Sequence, residues 1–322
     1  MSGVTQLVGG PWFDDLEVGQ VFDSAPGVTL TEGRAAAHQA IVGDRWRLAL
    51  DDDLSRRVAG AALASPTLVW NTAIGQSTLV TQRVRANLFY RRLALLRQPA
   101  IGDTLRTTTT VVGLKENTRR EGRPATGLAA LHMVTLDQDA RTVLDFYRCA
   151  MLPVRGAATG RDDDLSVVGA GEPLTSAALV PDWDRKGLAR FGGGVPAAGA
   201  VLEVEGGDVV SSAPELARLT TNVAAVHHDE AAAGGRRLVY GGHTIALAAA
   251  QATRALPGLV TVLAWESCDH VGPVHEGDTL RSTVEVLRST QVDGWTVLDL
   301  RSVVTSGEGA RVLDWRYSAL HA

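Results

Sequence analysis

The sequence predicts an α+β fold of two similar halves, in each of which an antiparallel sheet wraps around a long central helix. Three observations carry that expectation. A turn-and-strand motif recurs at a spacing of about 175 residues: Gly102-Asp103-Thr104-Leu105-Arg106-Thr107-Thr108 is matched by Gly277-Asp278-Thr279-Leu280-Arg281-Ser282-Thr283. Each half holds one apolar stretch rich in small residues and long enough for a buried helix, ALASPTLVWNTAIGQS from Ala62 and GGHTIALAAA from Gly241. The runs that follow each stretch alternate with period two, as strands do. The chain then divides into an N-terminal half over 1–154, a linker over 155–190 and a C-terminal half over 191–322.

A chain of 322 residues is too long for one small core and suits two domains of roughly 150 residues. With 45% apolar residues, 21% charged residues and a net charge of −5, it has no basic footprint, so no nucleic-acid partner is expected. No apolar run approaches the roughly 20 residues of a bilayer span, and the start, MSGVTQLVGGPWFDDLEVG, lacks a charged segment followed by an apolar one. A cytoplasmic protein without membrane contact is expected. Cys149 and Cys268 lie far apart in apolar runs, which favours buried free thiols over a disulfide or metal pair.

Taken in order, FDDLEVGQVF reads as a turn into a strand. Thr29 with Glu32 three positions on reads as a capping box opening a helix through AAAHQAIVG. GDRWRLALDDDLSRR then reads as a polar loop. In the apolar stretch that follows, small residues offer places where another backbone can pack closely. Strands are expected at RVRANLFYRRL, GDTLRTTTTVVGLKEN, ATGLAALHMVTLDQD and TVLDFYRCAML. The stretch from Arg155 to about 190 is rich in Gly, Ala, Ser and Asp without sustained periodicity, hence the linker assignment.

The second half repeats these features. Val143-Leu144-Asp145 is matched by Val312-Leu313-Asp314, Ser212 with Glu215 repeats the capping box, and the loop at Asn222 stands opposite the loop at Asp44. A strand, a short helix, a polar loop, a long buried helix and about four antiparallel strands in each half make a double hotdog. Two such sheets joined edge to edge each lose one exposed edge.

Chemistry is expected between Leu219 and Ala250, LTTNVAAVHHDEAAAGGRRLVYGGHTIALAAA. This stretch sets a polar loop and then a glycine turn before the second central helix. In the loop Asn222-x-Ala224-x-Val226-His227, the turn Arg236-Arg237-Leu238-Val239-Tyr240-Gly241-Gly242-His243, and the first-half runs Gly113-Leu114-Lys115-Glu116-Asn117 and Val143-Leu144-Asp145-Phe146-Tyr147, the chain resembles the MaoC-like dehydratase and (R)-specific enoyl-CoA hydratase superfamily in its double-hotdog form. Within that family it is most similar to the mesaconyl-CoA hydratase, or β-methylmalyl-CoA dehydratase, type. The general loop of the family reads Gly-Asp-x-Asn-Pro-x-His. Here the second half has Thr221, Asn222, Ala224, Ala225 and His227 in those places, while the first half keeps Gly43-Asp44 but has Ala49 in the His place.

The resemblance implies a hydro-lyase acting on a small-molecule acyl-CoA, needing no cofactor or metal because CoA is part of the substrate, with homo-oligomers the expected assembly. Water addition to a C=C conjugated to a thioester needs a base, an acid for the α-carbon and donors for the enolate-like oxygen. His227 is expected to be base and acid, with an ordinary pKa near 6.5, and Asn222 to orient the water or the imidazole. Backbone N–H groups at Gly241 and Gly242 are expected to hold the thioester oxygen, where a helix start leaves donors unpaired and a missing Cβ admits the substrate. Tyr240 is placed with the substrate-binding residues. His243 either assists there or simply lies inside the helix. Arg236, Arg237 and Arg47 either pair with a substrate carboxylate or CoA phosphates, or form surface ion pairs. His228, Asp229 and Glu230 read as a solvated face, and Asp44 as a turn residue or a catalytic remnant. The first half is expected to wall the acyl or CoA tunnel. Two other readings stay open: a hotdog thioesterase, and a non-catalytic acyl-CoA-binding hotdog protein.

Overall fold

The computed structural model describes residues 8–171, 174–191 and 193–322; residues 1–7 of the N-terminal half and positions 172–173 of the linker lie outside the described residues. The first half runs β1 (Val21–Phe22), β2 (Val28–Thr29), α1 (Glu32–Val42), α2 (Arg47–Leu50), α3 (Asp52–Ala59), α4 (Pro66–Gln76), β3 (Ala86–Leu95), β4 (Thr104–Glu116), β5 (Thr126–Leu136) and β6 (Thr142–Pro153). The second half runs β7 (Val201–Glu203), β8 (Asp208–Val209), α5 (Ala213–Leu219), α6 (Gly241–Ala255), β9 (Leu259–His270), β10 (Thr279–Val292), β11 (Trp295–Ser306) and β12 (Ala310–His321).

The helices α4 and α6 are the two central helices. Every residue of α4 is buried, and α6 is buried from Gly242 to Thr253, so neither has a polar face to turn to solvent. The sheets of the two halves merge into one, ordered β1-β4-β5-β6-β3-β9-β12-β11-β10-β7, with β2 beside β4 and β8 beside β10. The seam is the antiparallel pair β3 and β9, with Phe89 opposite Asp269 and Leu93 opposite Trp265. Each half thus covers one of the other's edges.

The repeat is visible in detail. Gly102 and Gly277, both at positive φ (+101° and +90°), turn the chain into β4 and β10, a conformation that suits glycine. At matching places on α4 and α6, the buried amides of Gln76 and Gln251 donate from Nε2 to the carbonyl oxygens of Leu105 (2.8 Å) and Leu280 (2.9 Å). Each latch ties a central helix to its sheet with a hydrogen bond shielded from water. Trp70 of α4 packs edge-on against Trp265 and Trp315 of the second half, with ring centroids 5.1 and 6.0 Å apart. The main core therefore draws on both halves.

Three local expectations are corrected. Thr31, not Thr29, caps α1, its Oγ1 accepting from the Arg34 N–H; Thr29 is held in β2, where its hydroxyl meets that of Thr104. Ser212 does stand at the start of α5 but makes no side-chain cap. It sits at φ +56°, whereas capping by a side-chain oxygen requires an extended residue. Third, the stretch after Gly43 is not a loop, for it folds into α2 and α3. Asp51 caps α3 through the Leu54 N–H at 2.9 Å, and acids in its first turn with arginines in its last match the helix dipole. Leu54 and Val58 of α3 bury against Leu188 in a smaller core. Leu188 belongs to the segment after β6, which carries short 3-10 helices at Leu165–Val167, Ser176–Leu179 and Arg185–Phe191. Both cysteines are buried free thiols.

Candidate active site

The loop after α5 is shaped by local hydrogen bonds and braced by the first half. Thr220 Oγ1 donates to the Leu216 carbonyl, and the Asn222 N–H donates to that of Ala217. Asn222 Oδ1 accepts from the Ala224 N–H at 2.9 Å, closing a side-chain turn that leads into the 3-10 helix Ala225–His227. From the other half, Thr78 Oγ1 accepts from the Val223 N–H at 3.0 Å and the Gln82 carbonyl from the Ala225 N–H at 2.9 Å. The second half's loop is thus positioned by the first half.

This loop closes one side of a cavity of about 270 Å³. Its other walls are the end of α4, β3, Arg148 of β6, the start of α6 and the chain just after β9. Four of the residues singled out from sequence, His227, Asn222, Tyr240 and Gly241, line it together.

His227 Nδ1 lies 2.7 Å from the Leu238 carbonyl oxygen. A carbonyl only accepts, so Nδ1 carries the proton and Nε2 is left with a free lone pair. Burial pushes the His227 pKa down to about 4, which keeps the imidazole neutral at physiological pH. Asn222 has its oxygen committed to Ala224, so what it has left to offer is an amide N–H: Nδ2 has no partner among the described residues.

Tyr240 presents its ring to the cavity, 5.8 Å from that of His227, while its hydroxyl is tied to the Asn71 carbonyl at 2.9 Å. The N–H groups of Gly241 and Gly242, at the first positions of α6, make no hydrogen bond among the described residues, as expected of a helix start. A Cβ on Gly241 would meet the His270 ring at 2.8 Å. Gly242 does not line the cavity. A Cβ there would stand 2.2 Å from Asn71 Oδ1, so its role is to let α4 and α6 approach. His243 lies inside the core with both ring nitrogens unpartnered and its pKa pushed by burial to about 4.

Arg236 and Arg237 lie away from the cavity. Arg236 pairs with Asp278 at 3.1 Å, and Arg237 with Glu230 at 2.9 Å and Glu276 at 3.7 Å. Arg47 stacks on Phe191. His228 donates from Nε2 to the Asn222 carbonyl, bracing the loop from behind. Asp44 is fully buried, bound by the hydroxyls of Ser65 and Thr67, and its pKa is raised by desolvation. It is sealed from the cavity. The first half instead contributes walls from α4 and β3.

The cavity also gathers residues not singled out from sequence: Tyr90, Arg148, Thr244, His270 and Asn87. Arg148 interrupts the apolar run FYRCAML, and a charge inside a buried-strand pattern is the one signal that marks it in the sequence. His270, at the end of β9, has a pKa pushed down by burial to about 4 and an unpartnered Nε2. Among the described residues no Asp or Glu lines the cavity, and no group of three or more His, Cys, Asp or Glu is placed to hold a metal. Among the described residues no helix is long and apolar enough to cross a membrane.

No family model matches the chain. The mesaconyl-CoA hydratase of Cereibacter sphaeroides is 30% identical over 290 residues, covering 86% of this chain and 83% of that protein. A solved structure from Mycobacterium tuberculosis, a conserved hypothetical protein with a double hotdog fold, is 54% identical with a TM-score of 0.91, over 98% of this chain and 100% of the other. One from Chloroflexus aurantiacus, described as a MaoC domain protein dehydratase, is 26% identical with a TM-score of 0.86, over 99% of both chains. Together with the merged sheet, the two central helices and a histidine loop set before a glycine turn, these likenesses show that the chain belongs to the MaoC-like hydratase and dehydratase family in its double-hotdog form.

Proposed function

We propose that the protein adds or removes water across the C=C of a short, branched or dicarboxylic enoyl-CoA of the mesaconyl-CoA kind. The observation that carries this reading is His227, a cavity-lining residue whose Nδ1 is bonded to the Leu238 carbonyl, which leaves the Nε2 lone pair free. In the hydration direction, Nε2 takes a proton from water as the oxygen bonds to the β-carbon. The resulting imidazolium returns a proton to the α-carbon. The enolate-like oxygen between these steps is held by the Gly241 N–H, which the helix start leaves free. Asn222 offers its amide N–H to the water or to the thioester. No step calls for a redox carrier or a metal ion, and CoA enters as part of the substrate.

The cavity, about 270 Å³, falls just below the roughly 300–1,000 Å³ of most ligand sites, and this suits a short acyl group with CoA extending past the exposed Arg85 at the rim. A thioesterase reading lacks its carboxylate base, since neither α4, α6 nor the cavity wall carries Asp or Glu. Incubation with mesaconyl-CoA, crotonyl-CoA and their 3-hydroxyacyl counterparts, followed by mass spectrometry, tests the proposal. Gain or loss of one water supports it. Unchanged acyl-CoAs throughout would count against it and favour a binding protein, and release of free CoA would favour hydrolysis.

A further inference from the structure

Arg148 lies within β6, only 3% exposed, with its side chain on the cavity wall. Its hydrogen bonds among the described residues both come from Nη2, to the Ser77 carbonyl at 3.0 Å and Thr81 Oγ1 at 2.8 Å, and Nε has no partner. These contacts fix the guanidinium against the C-terminal end of α4 and the 3-10 turn that follows it. The dipole of a helix end is equivalent to about half a negative charge, so the cation is held in place but not neutralised. Among the described residues no carboxylate pairs with it, and the groups bearing on it, Tyr90, Tyr240 and Cys149, are neutral at physiological pH. A buried cation left without a counter-ion costs several kcal/mol, and elsewhere in this chain Arg91, Arg254 and Arg301 all face acids.

We propose that Arg148 is the specificity residue of the cavity, and that its missing counter-ion is a carboxylate on the acyl part of the substrate. The inference rests on the acyl-CoA reading above and adds the residue that tells a dicarboxylic acyl group from a neutral one. With Nη2 committed to Ser77 and Thr81, Nε and Nη1 keep N–H donors that make no bond among the described residues, and a charge-assisted hydrogen bond from such a donor to a carboxylate is about twice as strong as a neutral one. The carboxylate enters a cavity otherwise free of acids, so no repulsion opposes it. An uncharged acyl group leaves the cation unpaired, which supplies the discrimination.

The test compares binding of two unreactive ligands, succinyl-CoA and butyryl-CoA, by calorimetry, and turnover of mesaconyl-CoA against 2-methylcrotonyl-CoA, which has a methyl in place of the distal carboxylate. Wild type is expected to prefer succinyl-CoA at least tenfold. Arg148→Gln is expected to abolish that preference and to lower kcat/KM for mesaconyl-CoA by about 100-fold, mostly through KM, and by a much smaller factor for 2-methylcrotonyl-CoA. Equal affinity of wild type for the two ligands overturns the proposal, as does an equal loss of both in Arg148→Gln, which marks a structural role. Should Arg148→Gln fail to fold, Arg148→Lys keeps the charge but loses the guanidinium bonds to Ser77 and Thr81 that place it, and is expected to keep a reduced preference for succinyl-CoA; an undiminished or absent preference overturns the assignment. The binding arms do not depend on water addition, so they stand apart from any failure of the hydratase reading.

Discussion

Gly75 offers a test of how the two halves share one site. It lies in α4 of the first half, and a Cβ on it would stand 1.9 Å from the carbonyl oxygen of Thr220, at the root of the His227 loop in the second half. Ordinary contact begins at 3.4 Å, so Gly75→Ala forces the helix and the loop apart by about 1.5 Å, a displacement that close-packed interiors resist. Two effects oppose each other in stability: alanine improves a helix by up to about 1 kcal/mol, while overpacking costs about 1–3 kcal/mol. A net loss of about 1–2 kcal/mol is expected. Activity should suffer more, because Thr220 immediately precedes the Thr221–Asn222 corner and a shift of about 1 Å at a site costs on the order of 100-fold. Urea unfolding followed by tryptophan fluorescence reads the first effect, and kcat/KM for enoyl-CoA hydration reads the second. A variant with a native midpoint and unchanged kcat/KM would refute the claim that α4 sets the loop.

Two further predictions concern stability. Thr221 holds a left-handed backbone at φ +60° in the place where the first half has Gly43, at φ +64°. A β-branched residue is strained there, so Thr221→Gly is expected to stabilise the fold by up to about 1 kcal/mol, read from the urea midpoint; destabilisation would mean that the side chain contributes more than the strain costs. Five histidines have pKa values depressed through burial first, His38 to about 3, His227, His243 and His270 to about 4, and His321 downward as well. Between the unfolded value near 6.5 and pH 4 the unfolded chain takes up protons that the folded one refuses, so stability falls as pH falls through that window. Each group contributes at most about 1.4 kcal/mol per pH unit. Asp44, with its raised pKa, opposes this with one proton. Urea midpoints should therefore be level from pH 7 to 8 and drop steeply below 6; a flat profile down to pH 4.5 would contradict the burial of these imidazoles.

What the sequence made legible followed from periodicity. The strands β4, β5, β10 and β11 alternate over much of their length, and α4 and α6 are rich in apolar and small residues, so both types stand out. The edge-to-edge seam at β3 and β9 also follows from duplication. The helices α2 and α3 were hidden because the spacing of Leu54 and Val58, four apart, lies inside a run of charges. Local chemistry marked His227, Asn222 and the glycine turn, but not their surroundings. Arg148 and His270 reach the cavity from strands of different halves, and such a meeting depends on the sheet order rather than on spacing along the chain. The same limit applies to Arg236 and Arg237, which sit next to the glycine turn in sequence yet are drawn off by Asp278, Glu230 and Glu276. Gly242 had the right residue type for an open approach, but Asn71 of the other half occupies that space.

The central claim is that His227 Nε2, fixed by the bond from Nδ1 to Leu238, moves the protons in water addition. The most direct measurement is kcat/KM of wild type and His227→Gln for the enoyl-CoA that the wild type hydrates best, with folding checked by near-ultraviolet circular dichroism. General base and acid catalysis by one group is worth on the order of 10²- to 10⁴-fold, so the account predicts a fall of that size with a native spectrum. A folded variant that hydrates as fast as the wild type would contradict it.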